Sequence, residues 1–432
     1  MSTEALVVDG IIAGGEGIAR PAEGPVVFIP RAAPGDRVQV EYSEEHRGWR
    51  RARLLHVVQP GPDRRPPPCP YYDACGGCQL QHIDYPAQVA AKAGIIQESL
   101  RRLGGIEIDR PDVASAPEEL GYRNRITLTL KRHADRVVAG YHHFEVPGHI
   151  VDVERCPLAE DPINRAWAGL RATWGEGAGR LPAGPELRLT LRAAETREVG
   201  LVIEGGRSRG EPEALLSQVE PLAAIWGLDA EGDVAWNVGR AALSDRWGPY
   251  RLKVAGTAFL QVNRRVAVAL EDYVRTACGP LGGRRIIDAY CGYGLRALDF
   301  AGAGAKVVGI DSDPFAIGGA SVAAEDAGLP ARFVHGRVER ALARELPADL
   351  VTLNPPRAGV EREVARVLRE SGPGRVIYVS CDPATLARDL QRLGDRYEMV
   401  ACRGFDMFPQ TAHVETVVSL GRRAVGGADE PH

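Results

Sequence analysis

The sequence predicts a multidomain protein: an N-terminal β-barrel of the OB type, a central α+β domain and a C-terminal open α/β sheet. Three observations carry that reading. Short apolar runs broken by Gly and Pro turns fill the first sixty residues, a proline-rich break follows, and from about Leu252 onward strand-like runs alternate with helical stretches.

In order along the chain, ALVVDGII, PVVFIP, RVQVEY and RRARLLHVV read as strands separated by the turns GGEG and APGD. Barrels of this kind commonly bind nucleic acid across one face and its loops. The segment PGPDRRPPP, between Gln59 and Pro68, can hold neither a helix nor a central strand, so the first domain is set at 1–60. Residues 61–248 form the central domain, with a helix near Ala87 to Leu103 and strands at RITLTLKR, RVVAGYHH, LRLTLRA and EVGLVIEG. Residues 249–423 form the third, with strands in RRIIDAY, KVVGID, ARFVHG, DLVTLN, RVIYVS and VETVVSL. Ligands of such sheets sit beyond the carboxyl ends of the strands. The tail 424–432, ending GGADEPH, is expected to be disordered.

A chain of 432 residues is long enough for two or three compact units. Its hydrophobic fraction of 44% and charged fraction of 25% are those of a soluble protein, and no apolar run is long enough to span a bilayer. The first ten residues lack the basic start and apolar stretch of an export signal, so a cytoplasmic monomer with no membrane partner is expected. A net charge of -4 excludes a wholly basic nucleic-acid binder but hides local faces. Arg47, Arg50, Arg51, Arg53, Arg64 and Arg65 crowd one stretch, which either follows phosphates or is a solvated arginine face.

Eight cysteines are too few and too unevenly placed for a disulfide scaffold. Cys69, Cys75 and Cys78 form C-x5-C-x2-C, and Cys156 in ERCPL is a fourth. Three close thiolates and one distant one can close a four-coordinate site for zinc or an iron–sulfur cluster. Gly76-Gly77 lets the backbone wrap tightly around sulfur. Paired zinc knuckles would offer two C-x2-C halves, so the spacing leans to a [4Fe-4S] cluster, with buried free cysteines as the bland reading.

In IIDAYCGYGLRALDFA a strand ends near Tyr290, Gly292 and Gly294 make a tight turn, and a helix begins near Leu295. The following strand ends in Asp311, where an acid can hold ribose hydroxyls; the alternative is a simple cap. A dinucleotide needs a third glycine for its pyrophosphate, and Arg296 and Leu298 stand in that region. S-adenosylmethionine needs only the close turn and the acid, so the pattern favours that methyl donor.

Two late segments carry candidate chemistry: VIYVSCDPATLARDL with Cys381, and FDMFPQTAHVETVVSL with His413 and Glu415. A cysteine between a strand and a helix lies where the helix dipole is expected to lower its thiol pKa; a buried structural cysteine is the alternative. Uracil suits such a pair. A thiolate adding to C6 makes C5 nucleophilic toward a sulfonium methyl, and a base must then remove the C5 proton. Glu415 is the candidate base and His413 its competitor. In LVTLNPPRAGV, Asn354 could bind the uracil edge or the cofactor, and Arg357 a phosphate or enolate unless it forms a surface ion pair.

These residues resemble the RNA uridine-5-methyltransferase family over nearly the whole chain, through VVFIPRAAPGDRVQV, CPYYDACGGCQLQH with ERCPL, GYRNR, FLQVN, DAYCGYG, NPPRAG, YVSCDPATLARDL and DMFPQTAHVET. The resemblance implies a TRAM domain as the N-terminal barrel, a central iron–sulfur domain and a Rossmann-like methyltransferase domain. It makes Cys381 the nucleophile and Glu415 the proton-abstracting base, Cys69, Cys75, Cys78 and Cys156 the ligands of a [4Fe-4S] cluster, and Gln261, Tyr290, Asp311 and Asn354 cofactor-site positions beside Gly292 and Gly294. It implies an RNA substrate, 23S ribosomal RNA or the transfer-RNA T-loop, with a TRAM-like barrel plus cluster pointing to the ribosomal branch. Leu295 and Arg296 depart from the family's polar residue and aromatic, Arg337 from its Asn or Asp, Asn354 from its more frequent Asp, and ASVAAEDAG lacks the usual Asn pair. Two other classes compete: a radical S-adenosylmethionine enzyme, whose C-x3-C-x2-C this chain lacks, and a catalytically impaired RNA-binding iron–sulfur protein.

Overall fold

A computed structural model describes residues 3–423 apart from 135, 248, 249, 257 and 259; the tail expected at 424–432, and the boundary set at 248/249, fall on residues outside that description. The chain forms two compact units. The first takes Met1–Ala91, Ala116–Arg265 and Met407–Ala412, and the second takes Lys92–Ser115, Val266–Asp406 and His413–His432.

The first unit begins with a six-stranded sheet in the order Thr3–Val7, Arg37–Glu45, Trp49–Gln59, Val26–Ile29, Gly17–Ala19, Gly10–Ile11. The outermost two strands of that order are separated by only Val8 and Asp9, so one bent N-terminal segment pairs at both ends and closes the sheet on itself. Alternating apolar residues point inward, among them Leu6, Val27, Ile29, Val38 and Val40. Asp36 is fully buried beside this core; its carboxylate accepts from Ala33 N–H, Gly61 N–H and the Arg64 guanidinium. Burial pushes its pKa up, but Arg64 and the two amides outweigh that and hold it below the ordinary value. Arg64 is therefore a structural tie, not a free phosphate contact. Arg51 and Arg53 are engaged as well, with Glu16 and Glu44 and with Glu41.

The remainder of this unit centres on a seven-stranded sheet running Ile150–Asp152, Val137–His142, Arg125–Arg132, Glu186–Ala193, Val199–Glu204, Leu222–Leu228, Val234–Gly239. Only Val199–Glu204 and Leu222–Leu228 pair in parallel. The alternation in RITLTLKR buries Ile126, Leu128 and Leu130 on the face covered by the helix Asp161–Thr173, whose Trp167 fills the core. A late segment completes the unit: Gln410, fully buried at φ 71°, accepts at its carbonyl from Gln79 and Leu80 N–H, donates its own N–H to Gln88 Oε1 and accepts at Oε1 from Gln88 Nε2.

The second unit is an eight-stranded sheet ordered Ala331–His335, Lys306–Asp311, Arg285–Ala289, Leu350–Leu353, Arg375–Ser380, Glu415–Arg422, Tyr397–Phe405, Val113–Ala114. The first five are parallel and read as continuous apolar runs because helices such as Leu295–Gly302 and Pro383–Leu393 flank them. Glu415–Arg422 runs antiparallel to both neighbours. Strand order reverses between Arg285–Ala289 and Leu350–Leu353, which makes the crevice beyond Ala289 and Leu353 the natural ligand position. No described helix is long and apolar enough to cross a membrane.

Helix Tyr85–Gly104 passes from the first unit into the second, where Lys92 and Asp406 form an ion pair with both side chains fully buried. Replacing Lys92 by Met removes the buried cation paired with the Asp406 carboxylate. Urea unfolding is expected to show a loss of about 3–5 kcal/mol for Lys92→Met, most of it recovered in Lys92→Met/Asp406→Leu.

Candidate active site

At the strand-order reversal the backbone itself is built for a ligand. Tyr290 (φ 62°), Gly292 (φ 52°) and Gly294 (φ 67°) all lie in the left-handed region, turning the chain from strand to helix within five residues. A Cβ on Gly294 would stand 2.4 Å from Phe333, whereas one on Gly292 would meet nothing within 4 Å, so the turn is tight behind and open in front. Asp311, at the end of the next strand, accepts from Gly292 N–H at 2.8 Å and Asp313 N–H at 2.9 Å. Those two bonds fix the carboxylate and leave lone pairs on both oxygens for hydroxyl donors. Asn354 follows Leu353 and its N–H reaches the Ala289 carbonyl, tying the two strands across the reversal. These features fit a nucleoside-bearing methyl donor. The structure thus gathers Tyr290, Gly292, Gly294, Asp311 and Asn354 in one unit; Gln261 lies in the first unit, where its carbonyl accepts from Asn124.

Cys381 follows the strand Arg375–Ser380, and Asp382 caps the helix Pro383–Leu393 by accepting from Thr385 N–H at 2.9 Å. Here the expectation of a depressed thiol pKa is corrected. The helix terminus is satisfied by the Asp382 carboxylate. Burial, then the Glu415 carboxylate, pushes the Cys381 thiol up to about 11, with Arg357 pulling the other way. Glu415 opens the antiparallel strand, is 3% exposed, and its Oε2 has no hydrogen-bond partner among the described residues. Burial raises its pKa to about 7, against the pull of Arg296 and Arg357 and with a further push from Glu271. His413 is exposed and faces Arg357 at 3.5 Å. Arg357 makes no ion pair among the described residues, which removes the surface-pair reading. Its loop is pinned by fully buried Asp389, which accepts from Val360 N–H at 2.8 Å, Tyr378 O–H at 2.7 Å and two arginines.

Sequence reasoning met Arg296 only as a family departure and as a residue standing where a dinucleotide site would want a third glycine. In the structure its guanidinium is 6% exposed, gripping Glu271 with two bonds and approaching Asp288. Their separation of 25 residues carries no local signal. A cavity of about 380 Å³ lined by Arg337, Glu339, Glu361, Arg362, Arg388 and Arg392 belongs to the same unit, and neither Cys381 nor Glu415 lines it.

In the first unit Cys69, Cys75, Cys78 and Cys156 line a single cavity of about 30 Å³ together with Arg123 and Tyr141. Gly77 N–H points at Cys75 Sγ at 3.4 Å, and a Cβ on Gly76 would press on the His142 carbonyl at 3.0 Å. Burial and neighbouring sulfur push the thiols of Cys75 and Cys78 up to about 11 and about 12; a bound cation would reverse that balance. The donor set fits a thiophilic centre, although among the described residues no three His, Cys, Asp or Glu side chains are already drawn together as a metal site. Arg31 of the barrel, another side chain without a sequence signal, donates to the carbonyls of Cys78 and Cys75 at 2.8 and 2.9 Å and lies 3.7 Å from the Tyr72 ring centroid.

Comparison with known proteins places this arrangement. The family model for tRNA (Uracil-5-)-methyltransferases matches residues 337–423, which hold Cys381 and Glu415, and a general methyltransferase-domain model matches 286–372. An uncharacterized RNA methyltransferase of Thermosynechococcus vestitus is 34% identical over 97% of this chain and 98% of its own. The chain belongs to the RNA uridine-5-methyltransferase family. A second family relative, from Protochlamydia amoebophila, is 33% identical over 94% of this chain and 95% of its own. The crystal structure of Pyrococcus abyssi tRNA (uracil-54, C5)-methyltransferase with S-adenosyl-L-homocysteine superimposes with a TM-score of 0.76 at 27% identity, covering 96% of this chain and 100% of that one. As a family member the protein is an RNA (uracil-5-)-methyltransferase with a C-terminal Rossmann-like domain.

The buried Glu415 has a cost with a definite sign. Its folded-state pKa of about 7 exceeds the ordinary 4.5, so the folded protein holds this proton while the unfolded chain releases it, and stability falls as pH rises across that window. Thermal unfolding of Glu415→Gln is expected to match the parent near pH 4 and to show a gain on the order of 2–3 kcal/mol near pH 8.

Proposed function

We propose that the protein methylates C5 of a uridine in 23S ribosomal RNA, with Cys381 as nucleophile and Glu415 as base. S-adenosylmethionine, when bound, supplies an electrophilic methyl group; Asp311 would hold its ribose hydroxyls, Gly292 and Gly294 would admit it to the turn, and Tyr290 and Asn354 would complete its site within the second unit. The Cys381 sulfur adds to C6 of a uracil flipped out of its stack, and the pyrimidine electrons move to C5 and O4. Arg357, whose charge opposes the rise of the thiol pKa, favours the thiolate and would offset the charge of an enolate oxygen. After methyl transfer the Glu415 carboxylate takes the C5 proton, the C5–C6 double bond re-forms, and the Cys381 thiolate leaves.

The observation that carries this reading is the coupling of a buried carboxylate, whose Oε2 has no hydrogen-bond partner among the described residues, to a half-buried thiol at one end of the sheet. A base with a pKa near the working pH combines the right protonation state with enough driving force. His413, exposed against Arg357, lacks that setting.

In the same reading the N-terminal barrel is a TRAM domain that holds RNA, and Cys69, Cys75, Cys78 and Cys156 carry a [4Fe-4S] cluster with a structural role, since four protein ligands leave no iron open. The protein works as a cytoplasmic monomer. A second substrate, the transfer-RNA T-loop, is favoured by the likeness to the Pyrococcus abyssi enzyme. Mapping 5-methyluridine in both RNAs from strains with and without the gene decides between them.

Incubated with labelled methyl donor and total RNA from the strain lacking the gene, the parent is expected to form 5-methyluridine, Cys381→Ala to lose at least about a thousandfold in rate, and Glu415→Gln to accumulate a covalent protein–RNA adduct. Product from Cys381→Ala at the parent rate refutes the chemistry. Anaerobically purified protein is expected to carry iron and acid-labile sulfide in equal amounts, and Cys78→Ser to lose both; a zinc-only preparation refutes the cluster.

A further inference from the structure

Arg123, in the first unit, has no task in the proposed chemistry and no acceptor in the fold. Its Nε is buried without a hydrogen-bond partner, and its guanidinium makes neither an ion pair nor a side-chain hydrogen bond among the described residues. Folding around an uncompensated cation is expensive unless an anion arrives to meet it. Neighbouring arginines are already committed. Arg31 donates to the carbonyls of Cys78 and Cys75, and Arg155 meets Asp161 at 3.4 Å with both side chains largely in solvent.

Backbone pairing fixes where Arg123 stands. Gly121 N–H donates to the Pro157 carbonyl at 2.9 Å, Arg123 N–H to the Leu158 carbonyl at 2.8 Å, and Glu160 N–H to the Arg123 carbonyl at 2.9 Å, so this segment runs alongside the turn that bears Cys156. The turn itself is rigid: Ala159 N–H donates to the Cys156 carbonyl at 3.1 Å, and the Asn164 side chain bonds both the Cys156 N–H and its carbonyl. From that position Arg123 lines the cavity that Cys69, Cys75, Cys78 and Cys156 share. The electrostatics agree with the placement. Burial works against the charged guanidinium, while Tyr122, Tyr141, Cys156 and Cys78 favour it.

The other groups aimed at sulfur bring no charge: Gly77 N–H faces Cys75 Sγ at 3.4 Å, and the Tyr141 hydroxyl faces Cys156 Sγ at 3.8 Å. A core held by four cysteine thiolates is anionic when oxidised and more so when reduced, and nearby charge and hydrogen bonds to sulfur set its potential. A fixed cation in the same water-poor cavity therefore stabilises both forms, the reduced one more.

We propose that Arg123 is the counter-charge of the four-cysteine centre, retaining it in the fold and raising its reduction potential. This inference rests on those cysteines carrying the [4Fe-4S] cluster.

The test is a redox titration of anaerobically purified protein with dithionite as the one-electron donor, followed by electron paramagnetic resonance, for the parent, Arg123→Met, Arg123→Gln and Arg123→Lys. At any fixed potential the reduced-to-oxidised ratio is expected to fall at least about tenfold in the two neutral variants, a midpoint lower by about 59 mV for a one-electron couple. Arg123→Lys is expected to stay within about threefold of the parent. A purely structural role lowers the iron content but leaves the midpoint of the remaining clusters where it was, and that result overturns the proposal. If neither neutral variant retains a cluster, retention in Arg123→Lys supports the counter-charge, and loss from Arg123→Lys as well points to shape and overturns it. Iron and acid-labile sulfide analysis of the parent separates the two ideas. Their absence removes the cluster and this inference with it; parental iron and sulfide in Arg123→Met with an unmoved midpoint leaves the cluster standing and removes Arg123.

Discussion

Charge taken out of water is the constraint around which the second unit is organised. Arg296, Asp288, Glu415 and Asp389 are all at or below 6% exposure, and desolvating them costs several kcal/mol each before any partner is counted. The fold offsets this with short, convergent contacts: a two-pronged grip on Glu271, a hydroxyl on Asp288, and a backbone amide, a phenol and two arginines on Asp389. Glu415 receives no such compensation at Oε2. A stability deficit concentrated on one group is what a site needs if that group is to exchange a proton, because a fully satisfied carboxylate has neither reason nor room to do so.

The sheet supplies the place for this arrangement. Parallel strands end on one side of the strand-order reversal, where tight left-handed turns can follow them, and the reversal keeps two successive crossover helices from closing over the gap. Asp389 then acts on the loop after Leu353 from beneath: Gly359 is required there because a Cβ would stand 2.2 Å from its carboxylate. A helix of the last crossover thus sets the path of the segment bearing Asn354 and Arg357. In the first unit Arg31 performs a comparable service, fixing the carbonyls of the cysteine loop from the barrel while its flat cation covers Tyr72.

Much of this sheet was legible because its inner strands are apolar on both faces. The runs RRIIDAY, KVVGID, ARFVHG, DLVTLN, RVIYVS and VETVVSL each contain an observed strand. Tyr397–Phe405 escaped notice: its charged residues and the irregularity between Met399 and Ala401 break the apolar pattern, as expected of a strand near a sheet edge. Val113–Ala114 is too short to leave any pattern. In the first unit, LAAIWGL forms a strand whose parallel pairing no local signal announces. Site residues were legible where a turn or a strand end dictates the residue type, as at Gly292, Gly294 and Asp311. Their electrostatics were not. Position alone puts Cys381 beside a helix terminus, but whether the dipole reaches the sulfur depends on Asp382 and on an acid from a distant strand. Likewise Arg296 reads as an anomaly until Glu271 is seen to hold it.

Gln410 gives the chain an unusual order of completion. The short piece Met407–Ala412 belongs to the first unit, although its flanking segments belong to the second. Through Gln410 it bonds Gln79, Leu80 and Gln88, and through Pro409 it receives the Tyr122 hydroxyl. During vectorial synthesis the N-terminal body therefore emerges from the ribosome lacking an internal strut, and gains it only after nearly all of the polypeptide has been made. The closing of one body thus coincides with the arrival of the strand that carries Glu415.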